Sequence, residues 1–340
     1  PLVAGRRHPH NLEPFAHRLG DIVVRRAVPN AFAHRPIWHP QGKSFYVIQL
    51  HALVMELDAS NFSVIRDHLH YEAGKPVYFR GGLAHSAEGL LALGTTDHAK
   101  KGEDLELYVL HMSNMQTKKK IPCPNASHIA SAPNLSVAFV GGRNSYPDGK
   151  PAEFLAVDLK SGEVVKPELD FALDPRTFVV SPDGQHLFGT DGKAIARFRI
   201  DGMQLIHEET SEPVIAASTE PSLEMSSDGS EVWLLGLDPA KRHVPDGASF
   251  KVFSASKLAD ETKTSPADVF SAALDSSRKA FVWSDAKTPL AIWRADEGRA
   301  YYDFKCGTPR QIIMNPAGGS LLLLAGPDLF HVRWSEKPAE

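Results

Sequence analysis

A short turn recurs along this chain at a near-constant interval, and any fold must accommodate that repeat before anything else. Its fullest form is Ser181-Pro182-Asp183-Gly184, preceded by apolar Phe178, Val179 and Val180 and followed by Leu187 and Phe188. Pro and Gly supply the backbone angles of a tight turn, and Ser and Asp side chains bond back to its amides, so the unit reads strand, turn, strand. Degenerate copies are His39-Pro40-Gln41-Gly42, Ser86-Ala87-Glu88-Gly89, Ala132-Pro133-Asn134, Ser226-Ser227-Asp228-Gly229, Asp275-Ser276-Ser277-Arg278 and Asn315-Pro316-Ala317-Gly318. Their second positions, 40, 87, 133, 182, 227, 276 and 316, lie 40 to 49 residues apart.

That period suits the four-stranded blades of a β-propeller. Second strands are expected at 45–48, 90–93, 137–140, 187–189, 232–235, 280–283 and 321–324. Third strands follow at 105–110, 153–159, 194–200, 290–294 and 329–334, and more polar outer strands at 63–67, 163–167, 204–208 and 299–302. After Trp334 too little chain remains for a fourth strand, so residues 21–28, a strand-like run ahead of the first turn, are expected to supply it. The chain is therefore predicted to be all-β: a single seven-bladed β-propeller of four-stranded antiparallel blades over 21–334, its ring closed by an N-terminal strand pairing with the last blade. Residues 1–20 read as an N-terminal tail or approach segment and 335–340 as a C-terminal tail. The Ser181-Pro182-Asp183-Gly184 turn and its copies, with third strands ending like Val157-Asp158-Leu159-Lys160-Ser161-Gly162, resemble the YVTN and WD-repeat-like bacterial β-propellers. The resemblance implies the fold and leaves function open, because such propellers serve as binding platforms, ligand sensors and occasionally enzymes. The chain departs from true WD repeats in having no third strand that ends in Trp-Asp and no Gly-His pairs at the expected places.

Composition narrows the function classes. With 42% apolar and 23% charged residues the chain can bury a sizeable core, and a net charge of −4 argues against nucleic acid as the main ligand. No stretch approaches 18 uninterrupted apolar residues, so no membrane span is expected. The start Pro1-Leu2-Val3-Ala4, without Met or a signal pattern, reads as processed or cut from a larger bacterial protein. Cys123 and Cys306 each precede a turn by the same interval in blades on well-separated sides of the ring, so both are expected as free thiols.

Alignment on the turns also reads the innermost strands as rings. Pro36, Leu83, Ile129, Phe178, Leu223, Ala272 and Ile312 share one position, and all are apolar, as packing between blades requires. One residue earlier stand Arg35, Gly82, His128, Thr177, Ser222, Ser271 and Gln311, and before those His34, Arg176 and Arg310. These residues begin the innermost strands, so they are expected to ring one mouth of the central channel. Arg35, Arg176 and Arg310, with His34 and His128, form a candidate site for a small anionic ligand, and Glu224, one step deeper, is expected to pair with one of the arginines. The same residues read as well as the water-satisfied polar lining of any wet channel.

Loops between second and third strands are long at 95–104, 142–152 and 237–248. Loops of that length on a rigid scaffold are common sites of binding. His98, Lys100, Arg143, Tyr146, Lys241, Arg242 and His243 suit a protein or peptide partner. No catalytic motif, metal-ligand spacing or cofactor fingerprint is present, and no metal or cofactor is expected. His68 and His70 alternate on an outer strand and make at most an adventitious pair. The expected function is a non-catalytic recognition module, monomeric by default. The alternative is a propeller enzyme, such as a lactonase-like hydrolase, working at the channel mouth with Glu224, His34 and His128 as its acids and bases.

Overall fold

The computed structural model describes residues 16–19, 22–28, 36–49, 52–96, 104–142, 153–213, 220–226, 228–237, 249–259, 271–275, 280–284, 291–294, 299–301, 309–325 and 328–334. They form thirty strands. The chain opens with β1 (Ala16–Leu19) and β2 (Ile22–Val28), then builds a sheet from β3 (Ile37–Trp38), β4 (Ser44–Gln49), β5 (Leu53–Asp58) and β6 (Val64–Leu69). A small ribbon, β7 (Tyr71–Glu72) and β8 (Lys75–Pro76), leads to β9 (Tyr78–Ser86), β10 (Gly89–Thr95), β11 (Glu106–Leu110) and β12 (Thr117–Pro122). The next sheet holds β13 (His128–Ala130), β14 (Val137–Gly141), β15 (Leu155–Asp158) and β16 (Val164–Val165). It is followed by β17 (Phe178–Val180), β18 (His186–Thr190), β19 (Ile195–Asp201) and β20 (Gln204–Thr210). Then come β21 (Glu220–Met225), β22 (Glu231–Leu237) and β23 (Ser249–Ser254), and β24 (Ser271–Asp275), β25 (Ala280–Ser284), β26 (Ala291–Arg294) and β27 (Arg299–Tyr301). The chain ends in β28 (Pro309–Met314), β29 (Ser320–Ala325) and β30 (Asp328–Trp334).

Neighbouring strands in every sheet are antiparallel, and in every blade but the last the innermost strand is followed outward by its successors in chain order. Six sheets carry four or more strands: β3–β6, β9–β12, β13–β16, β17–β20, β24–β27 and the sheet β1-β2-β30-β29-β28. These are the six blades. The predicted ring of seven four-stranded blades is corrected on two counts. The sheet β21–β23 has three strands, with no fourth among the described residues. Closure by a single strand, making a four-stranded last blade, does not describe the last sheet either: β2 pairs with β30, but β1 pairs with the far edge of β2, giving five strands. A strand that closes a sheet still presents its other edge, and β1 satisfies that edge.

The turns form as their residues dictate. Ser181 Oγ donates to Asp183 Oδ1 at 2.5 Å and accepts from the His186 amide at 2.9 Å, while the Gly184 amide donates to the Ser181 carbonyl at 2.8 Å. Ser226 and Asp228 repeat the arrangement at 2.7 and 2.9 Å. Gly184 sits at φ +67°, and a Cβ there would lie 2.5 Å from Asn134 Oδ1 of the preceding blade, so glycine is required by conformation and by space.

Alternation explains why the second strands are apolar throughout. Along β10, Leu90 and Ala92 pack with Tyr46, Ile48 and Val54 of the preceding blade, while Leu91 and Leu93 pack with Ala138 and Val140 of the following one. Both faces of a blade are buried against neighbours, so the polar half of the usual pattern disappears. The inner-ring residues Pro36, Leu83, Ile129, Phe178, Leu223 and Ile312 are all buried. Trp38 wedges between the first and last blades, its Nε1 donating to the Ile313 carbonyl at 3.0 Å.

Cations on the third and outer strands latch successive blades. Arg66 of β6 donates to the Met112 and Ser113 carbonyls at 2.7 and 3.1 Å, and Arg197 of β19 to those of Ala255 and Ser256. Lys119 of β12 donates to the Lys160 carbonyl. In each pair the acceptors lie in the next sheet's turn after its third strand. The Lys118-Lys119-Lys120 run is thus largely engaged, since Lys118 pairs with Glu88 at 2.7 Å and Lys120 with Glu72 at 2.8 Å.

Two histidines, His70 buried and His85 half-buried, make stability depend on pH. His85 Nε2 donates to the Trp38 carbonyl at 2.8 Å, and its ring lies 5.4 Å from that of Tyr46. Burial holds the imidazoles of His85 and His70 down to about 4, from 6.5 in an unfolded chain. The unfolded chain therefore takes up protons first as the pH falls. Stability is full above about pH 6.5 and declines toward pH 4 as the unfolded chain is protonated and the folded one is not. Thermal melts between pH 7 and 4 should show this decline, with about half the slope in His85→Gln.

Candidate functional site

Antiparallel order puts three features on one face: the starts of innermost strands, the loops between second and third strands, and the crossovers from each outer strand to the next blade. The described residues build this face most completely between the third and fourth blades. His128, at the start of β13, donates through Nε2 to the Phe178 carbonyl of β17 at 2.7 Å, and its ring meets the Phe178 ring edge-on at 4.5 Å. A carbonyl only accepts, so the Nε2–H tautomer is set by the neighbouring blade. Gly141 lets this approach happen, because a Cβ there would lie 2.5 Å from the Pro175 carbonyl.

Arg176 sits just before that strand and is held by Asp174. Its Nε lies 2.8 Å from Oδ1 and its Nη2 2.5 Å from Oδ2, a two-pronged pair, and the Arg176 amide also donates to Oδ1 at 2.9 Å. Burial works to raise the Asp174 carboxyl, but these hydrogen bonds outweigh it and hold it below the ordinary carboxylate range. The guanidinium is fixed in direction and remains 39% exposed.

Beside this pair lies a cleft of about 1200 Å³, walled by Pro124 and Asn125, by Glu153 and Phe154 at the entry to β15, and by the crossover from Lys166 to Pro175. The crossover alternates. Leu169, Phe171 and Leu173 lie half-buried on the core made by Phe139, Phe154, Phe178 and Phe198, while Glu168, Asp170 and Ala172 are exposed. Lys166 and Glu153 pair across the rim at 2.9 Å. The site therefore offers an apolar floor, a fixed cation and a mixed-charge rim, which suits an extended chain with an apolar anchor and a carboxylate or carbonyl nearby.

The structure brings His128 and Arg176 together through Phe178. Glu224 is half-buried in β21, four residues after its start at Glu220, opposite Trp233. Arg310 and Gln311 lie in β28, where only the backbone is described. His34, Arg35, His98, Lys100, Arg143, Tyr146, Lys241, Arg242 and His243 lie outside the described residues. Sequence reasoning passed over the crossover residues Leu169, Phe171 and Leu173. Their alternation with Glu168 and Asp170 was the available signal, obscured because the segment belongs to no blade. Cys123 is buried, which pushes its thiol up to about 12, and Cys306 lies outside the described residues. Among the described residues no group of three or more His, Cys, Asp or Glu is placed to hold a metal ion, and no helix is long and apolar enough to cross a membrane.

Comparison with known structures agrees with this architecture. The β-propeller domain of Myceliophteria thermophila Cps50 (Swd1) superposes with a TM-score of 0.59 at 12% identity, covering 88% of this chain and 96% of that one. The Neurospora crassa Pan2 WD40 domain gives 0.60 at 11% identity, covering 89% of each. The chain is a β-propeller. At such identities the similarity carries the fold alone, and it does not distinguish the YVTN-like subtype. No model of a known protein family and no curated protein matches the sequence.

Proposed function

We propose that this propeller is a non-catalytic recognition module that binds a protein or peptide partner on the face carrying the channel mouth. On this reading the mouth residues expected from the sequence are His34, Arg35, His128, Arg176, Glu224, Arg310 and Gln311, and the partner-binding loop residues are His98, Lys100, Arg143, Tyr146, Lys241, Arg242 and His243. The observation that carries the reading is the cleft between the third and fourth blades, with its apolar floor of Leu169, Phe171 and Leu173 beside the Asp174-clamped Arg176. The bond from His128 to the Phe178 carbonyl supports it as well, since it commits a would-be general base to holding two blades together. The bacterial, YVTN-like assignment rests on the turn sequences.

A thermal-shift titration with a peptide library, alongside small anions and sugars, tests this. A native-state binder at about 100 times its dissociation constant adds about 2.7 kcal/mol to stability. A saturable shift from extended peptides, reduced in Phe171→Ser and in Arg176→Ala, is the expected result. A shift produced only by a small anion or lactone, with turnover of that compound, overturns it in favour of a hydrolase.

A further inference from the structure

Outer strands are where a propeller risks joining other chains, because each ends its sheet with backbone groups unpaired. Among the described blades these edges are managed differently. β12 carries Lys118, Lys119 and Lys120, β20 carries His207, Glu208 and Glu209, and β16 is two residues long. The outer strand β6 has no such run of charge on its exposed positions. Ile65 is 46% exposed, Leu69 50% and Tyr71, at the next alternate position beyond the strand, 56%, with exposed Asp67 between the first two. Three of the five large apolar side chains most exposed among the described residues thus fall on this one line.

The backbone direction is also set. The His70 amide donates inward to the Ala52 carbonyl, and the His70 carbonyl accepts from Val77. Groups alternate along a strand, so the N–H and C=O of residues 67, 69 and 71 face the open edge, where no described strand lies. The register with β5 shifts next to Ile65 and is regular from Arg66 to Leu69.

We infer that the β6 edge is a docking surface for an extended segment of a partner protein, which adds to this blade as a further strand. It is separate from the channel-mouth face. Its chemistry specifies the segment: a lysine or arginine opposite Asp67, which has no ion pair among the described residues, and apolar side chains at the alternate positions facing Ile65, Leu69 and Tyr71. A second copy of this chain is a poorer occupant, because antiparallel pairing centred on Asp67 sets two carboxylates opposite each other.

The probe is a fluorescent peptide with a central lysine, valines at alternate positions on either side and threonines between, compared with its central-glutamate counterpart. Saturable binding is expected, with Leu69→Lys abolishing it. N-methylation of the peptide amides facing β6 should also abolish it, which side-chain contact alone would not explain. Asp67→Lys should reverse the preference between the two peptides by about fivefold each way. All these positions are exposed, so the variants should fold, and unchanged thermal melts verify this. Lack of binding, indifference to methylation or an unreversed preference in Asp67→Lys each overturns the inference. Concentration-dependent dimerisation that is lost in Leu69→Lys, without peptide binding, assigns the edge to self-association instead.

Discussion

Phe178→Ala should lower the free energy of unfolding by about 3–5 kcal/mol, read as a fall in the urea midpoint followed by tryptophan fluorescence. Phe178 is 1% exposed and stands at the start of the fourth blade, with the Phe154 ring 5.0 Å away and the His128 ring 4.5 Å away. Phe154 in turn stacks on Phe139 at 5.9 Å, so one ring joins the third blade's core to the fourth. Truncation leaves a cavity at a junction where two rigid sheets cannot collapse together, which is the costly case. Phe178→Leu, which keeps most of the volume, should cost about 1.5 kcal/mol or less. Equal losses for the two variants would show that packing at this junction is not what holds the blades.

Gly89→Ala should cost about 3 kcal/mol or more, through a different cause. Gly89 adopts φ +141°, and a Cβ there would lie 2.2 Å from the Leu110 carbonyl oxygen. That oxygen belongs to β11, whose Leu107 and Val109 are fully packed between blades, so it has no room to retreat. Gly74 provides the control. It also has positive φ, at +78°, but nothing lies within 4 Å of its would-be Cβ. Gly74→Ala should therefore cost only the conformational strain, about 1–2 kcal/mol. A similar loss at both positions, by the same urea titration, would remove the steric argument.

The Ser-Pro-Asp-Gly unit and its copies, with the apolar runs around them, were enough to place the second strands, because turn chemistry and alternation act over a few residues. The aligned apolar residues Pro36, Leu83, Ile129, Phe178, Leu223, Ala272 and Ile312 likewise announced packing between blades. What failed was the number of blades, six and not seven, and with it the count of strands per sheet. Nothing within 220–259 or 16–28 distinguishes a three-stranded sheet or a fifth strand, since edge pairing depends on which free edge lies near, not on the strand's own pattern. The site divides the same way. Polar residues at the starts of the inner strands raise the expectation of a mouth, but the partner of His128 is fifty residues away and belongs to another blade.

The residue pattern alone, then, settles that this chain alternates short strands with tight turns at a blade-sized period and carries an apolar position in each innermost strand. Only the tertiary structure decided how many strands each sheet holds, which edge stays open at β6, and how the 166–175 crossover combines with Phe154 to wall a cleft. Those outcomes rest on contacts such as that from Asn315 Nδ2 to the Gly42 carbonyl, 273 residues apart. Local propensity carries no information about such pairs, because they form only when the ring brings distant blades together.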